Sequence, residues 1–154
     1  MNDPENPYAA PHAELRETPR AAGSPFLAVL AGFATDTAGT FVSGIALTFV
    51  HAVWMIHSGA TADGIAALAS TPALSAANMI VGTAWSIFGG YVCARIAKRR
   101  ELTLGALQGS LSMLLGLWLS ARAEALLDLL LAIATIAAVV AGSAIGRRAN
   151  LRRG

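Results

Sequence analysis

The sequence predicts an all-α protein, an integral membrane four-helix bundle with both termini in the cytoplasm. Four long apolar stretches occur, at about residues 26–56, 73–97, 102–120 and 125–146. A helix of roughly 20 apolar residues crosses a hydrocarbon core of about 30 Å. Hydrophobic residues make up 55% of the chain and charged residues 13%, whereas a soluble domain carries about 25% charged residues. The apolar runs are continuous, which favours helices over the alternating strands of a membrane barrel.

The chain begins with a polar, proline-rich segment that mixes acidic and basic residues. A segment of this composition buries too little apolar surface to fold, so we expect residues 1–24 to be a disordered cytoplasmic tail. Pro25 then starts the first span, because proline is favoured in the first turn of a helix. Residues 26–56 exceed the bilayer thickness, so this helix either tilts strongly or begins along the cytoplasmic interface.

The later spans have clear boundary residues. Thr71 and Pro72 predict the start of the second span, with a hydroxyl N-cap followed by proline in the first turn. The basic turn between the second and third spans is very short, so these two helices are expected to pack antiparallel. Residues 147–154 follow the fourth span and are predicted to form a basic cytoplasmic tail.

The distribution of basic residues predicts the orientation. With the amino terminus inside, Arg122 alone among the 11 lysines and arginines faces out, a strong bias under the positive-inside rule. Trp54 and Trp118 then lie near the outer boundary, where tryptophan is enriched. The basic residues predicted to face the cytoplasm are Arg16, Arg20, Arg95, Lys98, Arg99, Arg100, Arg147, Arg148, Arg152 and Arg153.

Small residues recur at a spacing of four along the spans. In lipid, helices associate where small residues let their backbones approach. Two interpretations follow: close packing within one four-helix chain, or formation of a homo-oligomer through the second span. The predicted packing residues are Gly82, Ser86, Gly90, Ala94, Gly105, Gly109, Gly142 and Gly146.

The ends of the second and fourth spans resemble each other. Gly90 precedes Arg95 by five residues, and Gly142 precedes Arg147 by five residues. Two hairpins of the same orientation would form a parallel repeat. The alternative is coincidence, since glycine before a basic helix end is common.

Polar residues inside the spans are candidate functional groups, because ionisable groups are costly in the membrane. Asp36 is the main candidate, and we predict an ion pair or water-bridged contact with Arg95 at the cytoplasmic boundary. Gln108 is expected at a similar depth, and Asn78 is expected to form an interhelical hydrogen bond. Two alternatives stay open for Asp36 and Arg95: both reach the headgroup water, or Asp36 serves transport or a proton relay.

No catalytic signature is present in the sequence. Metalloprotease, nucleophile-elbow and phosphate-loop motifs are missing, as is any Cys/His cluster with metal-ligand spacing. No basic face with interleaved aromatic residues suggests nucleic-acid binding. We therefore expect a protein with no enzymatic activity, cofactor or metal, whose surroundings are the lipid bilayer.

Two functions remain. The first is a non-catalytic membrane protein that acts through helix packing with a second copy or another membrane protein. The alternative is a small oligomeric transporter or channel, in which Asp36, Gln108 and Asn78 line a path.

Residues 89–109 read GGYVCARIAKRRELTLGALQG. This segment resembles a pattern in small bacterial four-helix inner-membrane proteins of uncharacterised function, GGYVxARIA at the end of one span and GALxG at the start of the next. The resemblance covers the spans and implies a multi-pass protein of the bacterial cytoplasmic (inner) membrane. These relatives often carry a histidine just before the Gly-Ala-Leu, where this chain has Leu104 in that segment, so no role for that histidine carries over.

Overall fold

Four long helices dominate the computed structural model, which describes residues 23–61, 63–64, 71–119 and 125–152. They are α1 (Pro25–His57), α2 (Pro72–Ala97), α3 (Glu101–Leu119) and α4 (Ala125–Leu151). Each is long and apolar enough to cross a bilayer, in α4 over Leu129–Leu151. The predicted all-α class with four membrane-length helices is therefore confirmed, and it fits a multi-pass membrane protein. Of the predicted N-terminal tail, residues 1–24, the structure describes residues 23 and 24.

Helix boundaries follow the residues that the sequence indicated. The Ser24 hydroxyl accepts a hydrogen bond from the backbone N–H of Leu27 at 3.4 Å, and Pro25 occupies the first helical turn. Pro72 likewise occupies the first turn of α2, but the predicted hydroxyl cap is wrong, because the Thr71 side chain makes no capping hydrogen bond. Helix α2 ends where Lys98 adopts a left-handed conformation with φ of 55°, a common way to terminate a helix. The short turn that follows joins α2 to α3.

The fourth helix is longer than the sequence suggested. It continues to Leu151, so Arg147 and Arg148 belong to the helix and not to a separate tail. Asn150 explains the extra turn, because its side-chain Nδ2 donates to the carbonyl oxygen of Ala94 at 2.9 Å. A contact with α2 thus holds the last turn of α4 in helical form.

The helices alternate in direction. We call the end of the bundle that holds the α2–α3 turn and the last turn of α4 the basic end. The opposite end, with Trp54 and Trp118, is the tryptophan end. α1 and α4 each pack against both α2 and α3, while within the described ranges α1 and α4 make no contact with each other. α1 and α4 therefore lie on opposite sides of the bundle.

Buried residues concentrate in the half of the bundle near the basic end. This half contains the start of α1 and α3 and the end of α2 and α4. Its buried small and apolar residues are Ala28, Val29, Gly32, Gly89, Gly90, Cys93, Ala94, Ala97, Gly105, Gly109, Ala138, Val139, Gly142 and Gly146. Small side chains let the backbones approach in this half.

The parallel helices α2 and α4 make reciprocal contacts. A Cβ on Gly90 would collide with the carbonyl oxygen of Val139, and a Cβ on Gly142 would collide with that of Ile87. Each glycine therefore contacts the residue three positions before the other glycine. These reciprocal contacts join the two segments whose sequences resemble each other, as a parallel repeat of two hairpins would.

Candidate binding site inside the bundle

Asp36 lies inside the bundle, where its carboxylate is bound by two other helices. The side chain is 4% exposed. The hydroxyl of Ser86 on α2 donates to Oδ1 at 3.0 Å, and the hydroxyl of Ser112 on α3 donates to Oδ2 at 2.7 Å. Hydrogen bonds to an ionised acceptor are stronger than those between neutral groups. The carboxylate therefore links three of the four helices.

The predicted contact between Asp36 and Arg95 is wrong. The guanidinium Nη1 of Arg95 donates to Oδ1 of Asn150 at 2.8 Å. Asp36 is level with Ser86, nine residues before Arg95, which corresponds to about 13 Å along α2. α1 begins at Pro25, so Asp36 lies about 16 Å from the first residue of its helix. Asp36 is thus too deep to meet Arg95, and its burial also argues against contact with headgroup water.

Gln108 lies beside Asp36 and is completely buried. Within the described part of the chain, neither its Nε2 nor its Oε1 has a hydrogen-bond partner. The amide lies between two glycines, because a Cβ on Gly32 would meet Oε1. A Cβ on Gly89 would lie 2.9 Å from Nε2 and also 2.9 Å from the Cβ of Asp36. An unpaired amide in such a place costs free energy and needs an explanation.

A cavity extends from Asp36 toward the tryptophan end. Its volume is about 370 Å³, and all four helices contribute to its wall. Ser86 and Ser112 lie with Asp36 at its inner end. Further hydroxyl groups in the lining are those of Thr37, Thr40, Thr83 and Thr135, and apolar lining residues include Phe41, Met79, Leu115 and Leu131. The cavity is therefore mixed in polarity, with its carboxylate at one end.

The bundle is closed on the other side of Asp36. One turn closer to the basic end, the backbones of Gly32 and Gly89 touch, with each carbonyl oxygen under 3 Å from where the other's Cβ would be. The α2–α4 contact at Gly90 and Gly142 lies in the same half. Asp36 is therefore reached through the cavity and not from the basic end.

Asn78 does not line the cavity at Asp36. It lines a groove between α1 and α2 together with Thr40, Gly44 and Thr48. Its Oδ1 lies 3.5 Å from where a Cβ on Gly44 would be. Two helical turns separate Asn78 from Ser86, so the predicted set of polar residues divides between two locations.

The predicted packing residues all lie inside the bundle of this one chain. Gly82 faces Thr40, Gly105 faces Ser143, Gly109 faces Ile136, and Gly146 faces Ala94. Ser86 binds Asp36. The interpretation of packing within one chain accounts for these residues without a second copy.

Sequence reasoning missed the partners of Asp36. Ser86 was predicted only as a packing residue and Ser112 was not among the predicted residues; they lie 50 and 76 positions from Asp36. Trp85 was not among them either, although its Nε1 donates to the Ser43 hydroxyl at 2.8 Å. The one available signal was spacing: Ser86 is one turn from Gly90 and Gly82 on the face that packs inward.

Comparison with known proteins finds no match: no family model, no curated protein and no solved structure pairs with this chain. The resemblance to bacterial four-helix proteins stays a prediction.

Proposed function

We propose that this chain is a small transporter of the bacterial inner membrane that binds a proton or small cation at Asp36. Both termini face the cytoplasm in this proposal, as the positive-inside rule predicts. The basic end then faces the cytoplasm, and the cavity opens toward the periplasmic side.

The observation that carries the proposal is the setting of Asp36. The carboxylate is buried and bound by Ser86 and Ser112. No lysine, arginine or histidine that the structure describes forms an ion pair with it. An ionised carboxylate at membrane depth is costly and commonly marks an ion or proton pathway. Without a basic side chain beside it, a bound proton or cation is what neutralises the charge.

The one-sided access favours a transporter over an open channel. The cavity reaches Asp36 from one side, while the glycine contacts of α1 with α2 and of α2 with α4 close the other. Transporters bind their ligand near the middle of the membrane and expose it to one side at a time. A second conformation would have to separate these glycine contacts.

Association with a second copy or another membrane protein is the other candidate. Such association was expected from the predicted packing residues, but these residues contact other helices of the same chain. The apolar face of α1, with Val42, Ile45 and Phe49 exposed, is the surface that lipid ordinarily covers. The geometry therefore favours transport.

The experiment reconstitutes the purified chain into vesicles and imposes either a proton or a sodium gradient. Internal pH is read with a trapped dye and sodium uptake with a radiotracer. We expect dissipation of at least one gradient to be faster than in protein-free vesicles. Asp36→Asn removes the charge at constant size and is expected to lower the rate about tenfold or more, because no other described carboxylate lies in the site.

The matched control is Asp63→Asn, which removes a carboxylate that is exposed near the tryptophan end. This variant should transport like the unmodified chain. Equal rates for the unmodified chain and Asp36→Asn would overturn the proposal, as would rates no faster than those of empty vesicles.

A further inference from the structure

We propose that Asp36, Ser86, Ser112 and Gln108 form a binding site for a dehydrated monovalent metal cation, with sodium as the reference ion. This inference rests on the proposed function and narrows its ligand from any small cation to an alkali metal ion.

Oxygen atoms from three helices converge at this point. Each oxygen of the Asp36 carboxylate accepts a hydrogen bond from a serine hydroxyl, one from Ser86 at 3.0 Å and the other from Ser112 at 2.7 Å. A serine hydroxyl has two lone pairs and rotates freely. The hydroxyl oxygens of Ser86 and Ser112 can therefore each turn a lone pair toward a cation. Oxygen ligands of this kind replace the hydration shell of alkali ions in membrane proteins.

Gln108 supplies an observation, independent of Asp36, that points to a bound ligand. Its amide is wholly buried, and neither polar atom has a partner in the part of the chain that the structure describes. An unpaired buried amide calls for a bonding partner in another state. A protonated Asp36 can donate one hydrogen bond to the Gln108 oxygen, whereas a cation binds that oxygen together with the carboxylate and both serine hydroxyls.

The amide is within reach of the site. Gln108 lies one helical turn before Ser112, about 6 Å along the axis. Its Nε2 and the Cβ of Asp36 both lie 2.9 Å from the position of a Cβ on Gly89. A half-turn of the terminal amide of Gln108 exchanges Nε2 and Oε1 without changing its shape, and so brings Oε1 toward the carboxylate. The amide fits at this point because Gly32 and Gly89 have no Cβ to collide with it.

The charge selects a monovalent ion. Asp36 supplies one negative charge, and the other three side chains are neutral. A monovalent cation neutralises the site, whereas a divalent cation would leave an uncompensated positive charge in a medium of low dielectric constant.

The cavity is large enough for a hydrated ion to approach Asp36. A water molecule in liquid occupies about 30 Å³, so a volume of about 370 Å³ accommodates an ion with its hydration shell. The threonine hydroxyls along the wall can replace part of that shell as the ion approaches Asp36.

The test measures the melting temperature of the purified chain in detergent, with choline chloride exchanged for sodium, potassium or lithium chloride at constant ionic strength. A ligand that binds the folded state raises the melting temperature. We expect an increase of several degrees at about 100 mM of at least one alkali ion. Gln108→Met keeps the volume and removes both polar atoms, and should weaken the affinity about tenfold or more.

Asn78→Leu is the matched control, because it removes an amide from the separate α1–α2 groove and should leave the ion response unchanged. Equal affinity in Gln108→Met and the unmodified chain would overturn the inference. A melting temperature that varies with pH but with none of the three ions would also overturn it, while leaving proton transport at Asp36 intact. Failure of gradient dissipation in vesicles would instead remove the proposed function.

Discussion

The two halves of the bundle are built from the same kinds of helix but differ in how closely those helices approach. Near the basic end, a Cβ on Gly90 or Gly142 would collide with a backbone carbonyl of the neighbouring helix. Nearer the tryptophan end, a Cβ on Gly82 would lie 3.7 Å from Thr40, an ordinary contact, and one on Gly116 would meet nothing within 4 Å. Gly39, on the tryptophan side of Asp36, packs against the side chain of Trp85 and not against a backbone. Among the described residues, backbone-to-backbone approach at glycine therefore belongs to the first half.

The difference shows how this chain combines stability with a cavity. Apolar side chains gain little by leaving lipid for a protein interior, so stability must come from close backbone packing and interhelical hydrogen bonds. The half near the basic end supplies the packing. The other half is free to remain open, and Asp36 lies where the two meet. Three predictions test this division.

The largest expected effect is on the α2–α4 contact. Gly142→Ala places a methyl group against the carbonyl of Ile87, and backbone cannot move as a flexible side chain can. We expect the free energy of unfolding to fall by about 2–3 kcal/mol, measured by titration with a denaturing detergent. Gly116→Ala makes the same change in open space and should alter it by less than about 1 kcal/mol, in the stabilising direction. Equal effects would show that the two halves do not differ in packing.

The next largest expected effect is an increase in the free energy of unfolding. Gln108→Met removes two buried polar atoms that lack partners among the described residues. Without alkali ions, we expect the free energy of unfolding to rise by about 1–2 kcal/mol, since the desolvation of the amide no longer opposes folding. Sodium should reduce the difference between the variant and the unmodified chain. A less stable variant in choline would indicate that the amide is bonded.

The smallest effect concerns the link between α1 and α3. Ser112→Ala removes a donor to Asp36, and we expect a loss of about 1 kcal/mol by the same titration. Ser110→Ala is the control on the same helix, because the Ser110 hydroxyl donates to the carbonyl of Ala106 within α3. That change should cost less than about 0.5 kcal/mol. If the two variants are equally stable, the bond from Ser112 contributes nothing to the bundle.

Much of the fold could be predicted because it depends on local properties. Pro25 and Pro72 mark helix starts wherever the rest of the chain lies. The parallel orientation of α2 and α4 also follows from the alternation of the spans, but their contact at Gly90 and Gly142 was not predicted.

The partners in the candidate site could not be predicted in the same way. Asp36 was predicted at the cytoplasmic boundary, beside Arg95. The depth of Asp36 is instead set by the register of α1 against α2, and that register pairs it with Ser86 rather than Arg95. Register depends on how glycines such as Gly32 and Gly89 fit together.

By itself, the sequence determined the four membrane-length helices, most of their boundaries and their apolar character, because continuous hydrophobic runs and proline at helix starts act over a few turns. The last turn of α4 depended instead on the contact between Asn150 and Ala94. The tertiary structure alone decided that a carboxylate, two hydroxyls and an unpaired amide meet at one depth. Those contacts join residues on three helices, and the alignment of separate helices follows from backbone approach between small residues and not from any local pattern.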